Sequence, residues 1–205
     1  MKKIETVQDF VDRFYQLAHH HGGPCSGQCA PGSTGKMCEL IRAEYPQLKT
    51  FLDVGAGTGG WAIVLREMGK EVTELDHNPR DESVVRGDMH NMPFEDGKFD
   101  AVFASHVFEH SISPMMFLAE ANRVLRLGGI SFLAFPFPIK PWVNEWDHSS
   151  VLTFDQTINL IEKTGFELKK YRALSENNEE FERIDQYPDP TRVMQIFVIQ
   201  KMKEI

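Results

Sequence analysis

Four glycines within six positions carry the first chemistry legible in this chain. The run Leu52-Asp53-Val54-Gly55-Ala56-Gly57-Thr58-Gly59-Gly60 sets them directly behind an apolar stretch. Glycines between a strand and a helix let the backbone approach a ligand where side chains would collide. A tight turn by itself needs one or two. Gly55, Gly57 and Gly60 satisfy the dinucleotide pattern G-x-G-x-x-G, and Asp76 follows Gly57 by nineteen residues, where an acid holds a ribose 2′-hydroxyl. A nicotinamide dinucleotide and an adenosyl ligand both meet these conditions. Charge separates them. Asp53 stands close to where a pyrophosphate would lie, and a carboxylate there repels phosphate while suiting an ammonium or a sulfonium. Asp88, after Gly87, is placed to accept from an adenine amino group. Three acids around one crevice favour a cationic adenosyl ligand.

Histidines supply the second candidate chemistry. His106 and His110 follow the apolar run Phe99–Ser105, and His148 stands beside Asp147. If a transferred group goes to a hydroxyl, a base that takes its proton speeds the step, and histidine suits neutral pH. His106 and His148 are the candidate catalytic bases, and His110 has capping or packing as its simpler role. Pro136–Ser150 contains Trp142 and Trp146, which either wall an acceptor pocket or pack this segment onto the sheet. His19, His20, His21, Cys25, Cys29 and Cys38 offer only one cysteine pair at C-x₂₋₄-C spacing, so no metal site is expected. Gly32-Ser33-Thr34-Gly35-Lys36 is not a phosphate loop. Ala30 stands where the first glycine is required, Met37 replaces Ser or Thr, and no strand precedes it.

The elements that must position these groups follow from periodicity. Residues 5–20 read as an amphipathic helix, 19–35 as an irregular loop, and 35–45 as a short helix stopped before Pro46. Strands are expected at Thr50–Val54, Glu71–Leu75, Ser83–Arg86, Phe99–Ser105 and Ile130–Phe135, with a helix over Gly59–Met68 after the first. Ser113 and Pro114 open a helix that runs to about Arg126, with Gly128-Gly129 as its stop. Thr153 and Gln156 form a capping box for a helix ending at Gly165. Strands Phe166–Leu174 and Arg192–Met202 close the chain, antiparallel at one edge because no helix joins them. The result is an α/β fold, a seven-stranded, mostly parallel Rossmann-like sheet with helices on both faces. Residues 1–48 read as an N-terminal helical lid, 49–205 as the core of a single domain, and 136–150 as a candidate acceptor-side cap.

Five segments in order resemble the class I S-adenosylmethionine-dependent methyltransferases, in the small-molecule branch that includes the ubiquinone and menaquinone biosynthesis enzymes. They are FLDVGAGTGG, LDHNP, RGDMHNMPFEDGKFD, ASHVFEH and NRVLRLGGISFLAFP. The resemblance implies S-adenosyl-L-methionine as the cofactor and strand order 3-2-1-4-5-7-6. It places Asp53, Gly55, Ala56, Gly57 and Ser105 at the methionine end, Asp76 with His77 at the ribose, and Asp88 with Met89 at the adenine. The Asn/Asp-Pro-Pro-aromatic motif of methyltransferases acting on nucleic-acid bases or glutamine is absent, since Ser105-His106-Val107-Phe108 stands there.

Composition agrees. The 205 residues suffice for one domain with a core, and Asp and Glu outnumber Lys and Arg by 30 to 22, against the basic stripe of a nucleic-acid binder. No apolar run approaches the ~18 residues of a membrane span, and the start is no signal peptide, so a cytoplasmic protein with a small-molecule acceptor is expected. An NAD-dependent oxidoreductase and a non-catalytic adenosyl-binding module are the rival readings.

Overall fold

The computed structural model describes residues 33–79, 82–138, 148–174, 180–181 and 194–205. Among the described residues eight strands make one sheet: β1 (Thr50–Val54), β2 (Glu71–Asp76), β3 (Val85–Arg86), β4 (Phe99–Ser105), β5 (Leu125–Pro136), β6 (Phe166–Leu174), β7 (Glu180–Phe181) and β8 (Met194–Lys201). Their order is β3-β2-β1-β4-β5-β8-β6-β7. The first five pair in parallel, and β8 enters antiparallel between β5 and β6. The expected order 3-2-1-4-5-7-6 is thus present, with β8 as the seventh strand and the two-residue β7 added at the β6 edge.

Alternation along the strands builds two cores. Phe51, Phe103, Phe132 and Val198 face one side, where Met37 and Ile41 of helix α1 (Ser33–Glu44) and Leu65 of α2 (Gly60–Glu67) cover them. Leu52, Val102, Leu133 and Phe197 face the other, under Phe117 and Leu118 of α3 (Pro114–Val124) and Ile161 of α4 (Phe154–Lys163). Strands covered on both faces need continuous apolar sequence, which is why β4 has no polar alternation at its centre. Met37 and Ile41, in the stretch assigned to a lid, are fully buried against the sheet. The helix expected over 5–20 lies outside the described residues.

Local signals fixed the helix starts. Ser113 Oγ accepts from the Met116 amide before Pro114, and Thr153 and Gln156 make both halves of a capping box. Gly165, at φ +76°, follows α4 as expected. The glycine pair at 128–129 needs correction. Helix α3 ends at Val124 and β5 begins at once, so Gly128-Gly129 lies inside β5 and does not stop the helix. Pairing with β4 jumps from Phe99↔Leu125 to Ala101↔Ile130, a bulge in which Gly128 takes φ +78°.

Asp100 ties this bulge to the entrance of β1. Its Oδ2 accepts from the amides of Lys49 (2.7 Å) and Thr50 (3.0 Å), and its Oδ1 from Arg126 Nε (2.5 Å). Partial burial pushes the carboxyl upward, but the Thr50 amide, Arg126 and the Lys49 amide outweigh it and bring the pKa down to about 2. Asp100→Ala is expected to cost about 1–3 kcal/mol in urea unfolding at pH 7. The depressed folded value means that this contribution is whole above the ordinary value of 3.8 and is lost as pH falls towards about 2. The gap between wild type and variant should therefore narrow over that window; a constant gap would exclude Asp100 as its source.

Candidate active site

The glycine loop and its acids stand at the carboxyl ends of β1, β2 and β4, the place where open α/β sheets form their ligand crevice. The Gly55 and Ala56 amides both donate to Leu75 O, at 2.8 and 3.1 Å, which bends the chain over the end of β2. Gly55 has φ +71°, and a Cβ on it would lie 2.5 Å from Val107 Cγ2. Only glycine lets the loop after β1 touch the turn after β4. Gly57, at φ +56°, faces open space: a Cβ there would meet nothing nearer than Gly55 O at 4.0 Å. Its amide donates to Asp76 Oδ2 and the Asn78 amide to Asp76 Oδ1, each at 2.8 Å. Asp76 therefore fixes the loop as well as standing at the crevice.

Beneath the loop lies a cluster of acids. Asp53 is 3% exposed, and its Oδ2 has no hydrogen-bond partner among the described residues. Burial, then the charges of Glu74 and Asp76, push its carboxyl up to about 8, with Arg66 pulling the other way. Arg66 Nη1 pairs with Glu74 at 2.7 Å. Asp53 is thus mostly neutral at pH 7, whereas the sequence suggested a standing carboxylate. The same negative surroundings oppose a pyrophosphate. This orphaned, buried oxygen and the open backbone at Gly57 fit an adenosyl ligand that carries an ammonium.

Asp88, on the third side, is turned towards its own loop. Its Oδ1 accepts from the His90 amide (2.9 Å) and meets His90 Nδ1 (2.7 Å), while His90 Nε2 lies 2.8 Å from Ser111 Oγ. Burial raises the Asp88 carboxyl, but the His90 contacts prevail and hold it low. The Asp-His-Ser order copies a hydrolase relay, yet Ser111 is fully buried, so the chain of bonds is a structural tie. Met89 is buried in the adjoining core, and the half-buried His77 accepts from Arg86 Nη1 through its carbonyl. Ser105 is half-buried at the end of β4.

His106 follows with φ +55°, the sole non-glycine positive φ among the described residues. Such a conformation costs roughly 1–2 kcal/mol. The backbone N–H of His106 donates to Ala134 O at 2.8 Å, and its 41%-exposed ring places Nδ1 3.6 Å from Glu109 Oε1. Phe108, packed against Phe117 and Phe135, pins the short helical turn Phe108–His110 to the sheet. The segment after β5 is strapped to that turn: the Ser150 amide donates to Glu109 O at 2.9 Å, and the Ser149 and Ser150 hydroxyls donate to Ser111 O. This brings the His148 ring to 4.9 Å from that of His110. Both candidate bases therefore stand on one side of the crevice, with Glu109 and His110 in the same group.

Sequence reasoning passed over Glu109, His90 and Ser111. The G-D-M-H and F-E-H spacings were visible, but their burial was not. Cys38 is buried in α1, and burial, followed by Asp53, pushes its thiol up to about 11, which keeps it protonated. His19–His21, Cys25, Cys29, Trp142 and Trp146 lie outside the described residues.

Comparison with known proteins points to methyltransferases. Residues 52–133 match the family model described as a methyltransferase domain. The phthiotriol/phenolphthiotriol dimycocerosates methyltransferase 1 of Mycobacterium ulcerans is 33% identical over 130 residues, 61% of this chain and 43% of the relative. The chloroplastic 2-methyl-6-phytyl-1,4-hydroquinone methyltransferase 2 of Oryza sativa is 27% identical over 147 residues, 63% of this chain and 42% of the relative. The chain thus spans less than half the length of these two proteins. Among solved structures, the Burkholderia thailandensis 1,6-didemethyltoxoflavin-N1-methyltransferase, with its acceptor and S-adenosylhomocysteine bound, has the same fold. Its TM-score is 0.71 at 13% identity, covering 99% of this chain and 93% of that one.

The raised carboxyl of Asp53 supplies a proton-linked test of whether a ligand's ammonium docks beside it. A carboxyl that titrates near 8 when free and lower beside an ammonium releases its proton on binding below pH 8. Calorimetry with S-adenosylhomocysteine at pH 7, in buffers of different ionisation heat, should show release approaching one proton per site. Asp53→Asn should abolish it. Buffer-independent heats in the wild type would place Asp53 out of the ligand's reach.

Proposed function

We propose that this chain, a class I S-adenosylmethionine-dependent methyltransferase by the domain that its residues 52–133 match, moves the sulfonium methyl group onto a small-molecule acceptor. The supporting observation is the buried carboxyl of Asp53, whose Oδ2 has no hydrogen-bond partner among the described residues, under a glycine loop that leaves room for a ligand's backbone contacts. In this reading Asp53, the loop of Gly55, Ala56 and Gly57, and Ser105 hold the methionine end. Asp76 and His77 face the ribose, and Asp88 and Met89 flank the adenine.

Methyl transfer is an in-line displacement, and most of its acceleration comes from holding donor and acceptor in line. S-adenosylmethionine supplies the electrophilic methyl carbon. The chain's own residues orient it, and His106 or His148 takes a proton where the acceptor carries one. The formal charge of −8 supports a small acceptor over nucleic acid. The names of two relatives, for a triol and a hydroquinone, support an oxygen-bearing acceptor. The nicotinamide alternative would require a pyrophosphate beside Asp53, Glu74 and Asp76.

Parallel titrations with S-adenosylmethionine, S-adenosylhomocysteine and NAD test the reading. Micromolar binding of the two adenosyl amino acids and none of NAD is expected; the reverse would overturn it. Asp76→Ala should weaken S-adenosylhomocysteine by about 1–3 kcal/mol, through lost charge-assisted bonds. Wild-type affinity in that variant would remove Asp76 from the site.

A further inference from the structure

We infer that Glu109, His110 and His148 bind a divalent transition-metal ion, Zn²⁺ or a metal of similar softness, and present its open position to an oxygen of the acceptor. One carboxylate oxygen of Glu109 and one ring nitrogen from each histidine all lie within 4.8 Å of one another. Tetrahedral ligands bonded at about 2.0–2.2 Å stand roughly 3.3–3.6 Å apart, so movements of about 1 Å close the site. Two imidazoles and a carboxylate suit a borderline ion and leave a fourth position free.

A second, independent observation points to a missing partner. Glu109 is 1% exposed, yet its Oε2 accepts no hydrogen bond among the described residues. An ionised carboxylate in that position costs several kcal/mol unless a cation offsets it. The other oxygen is already oriented, since His106 Nδ1 stands 3.6 Å from Oε1, as an outer partner of a metal ligand would. The strap through Ser149 and Ser150 holds His148 in place from a separate part of the chain.

The location gives the ion its task. Val107 touches Gly55 of the donor loop, and His110 lies one turn further on. An acceptor hydroxyl bound to the ion gives up its proton more readily, and His106 takes it, since His148 then serves as a ligand and not as the base. The acceptor oxygen then bonds to the methyl carbon, the carbon–sulfur bond breaks, and that electron pair stays on sulfur, which loses its positive charge. No redox partner enters. This last step rests on the methyl-transfer reading; the ion site does not.

The test uses full-length protein stripped with chelator and titrated with Zn²⁺, with S-adenosylhomocysteine binding measured on the same sample. One ion per chain is expected. His110→Ala and His148→Ala should each weaken Zn²⁺ at least 100-fold and Glu109→Gln at least 10-fold, with circular dichroism and S-adenosylhomocysteine affinity retained. Co²⁺-loaded protein should show visible absorption bands that shift when catechol, a simple oxygen donor, is added. If His110→Ala or His148→Ala does not fold, Glu109→Gln and the Co²⁺ bands of the wild type carry the test. Zn²⁺ binding that is absent, or that survives both histidine changes because Cys25 and Cys29 hold the ion, overturns the site. Zn²⁺ bound with these dependences but no S-adenosylhomocysteine bound would leave the metal site standing and remove the donor reading.

Discussion

The contact between Gly55 and Val107 is the constraint on which the rest of the site depends. Two loops from neighbouring parallel strands meet there with no room for a β-carbon. The strands deliver them in register, Val54 beside Ala104, so that one residue past β1 meets two residues past β4. That spacing fixes the two loops relative to each other before any ligand enters. An in-line displacement requires such preorganisation, because small misplacement of the reacting atoms is expensive. The positive φ of His106 follows from the same geometry: the chain must leave β4, bond to Ala134 O and turn back towards the loop within two residues.

The electrostatics of the crevice are organised by which acids have partners. Glu74 has Arg66, Asp76 has two amides, and Asp88 has His90. Asp53 and Glu109 are buried and each keeps one oxygen without a hydrogen bond among the described residues. Buried carboxylates are costly unless satisfied, and two lie at either side of the Gly55–Val107 contact. One answers its isolation by taking a proton. The other, Glu109, keeps its place beside His106, His110 and His148 with one oxygen to spare.

What could be read in advance was what depends on near neighbours in the chain. The capping box at Thr153 and Gln156, the Ser113-Pro114 start and Gly165 each act within a few residues, and the alternating apolar runs gave the sheet and its faces. Gly128-Gly129 looked like a helix stop because glycine pairs commonly are, but the pairing of β4 with β5 turns them into a bulge. The short β7 exists only by pairing with β6. Glu109 and His90 were plain polar letters in sequence. Their meaning comes from burial and from a Ser150–Glu109 bond spanning forty-one positions, which periodicity does not reveal.

The placement of β8 has a consequence for how the molecule is made. Residues 194–201 fill the gap between β5 and β6, so until they are synthesised both strands present unpaired edges. Open, apolar edges recruit other chains. During translation the parallel half, β1 to β5, is free to form first, while Phe135 waits for Phe197, which stacks on it at 5.4 Å. Long-range pairing of this kind closes slowly and leaves an aggregation-prone species in the interval. The emerging chain is therefore most in need of chaperone shelter between the completion of β6 and the arrival of β8.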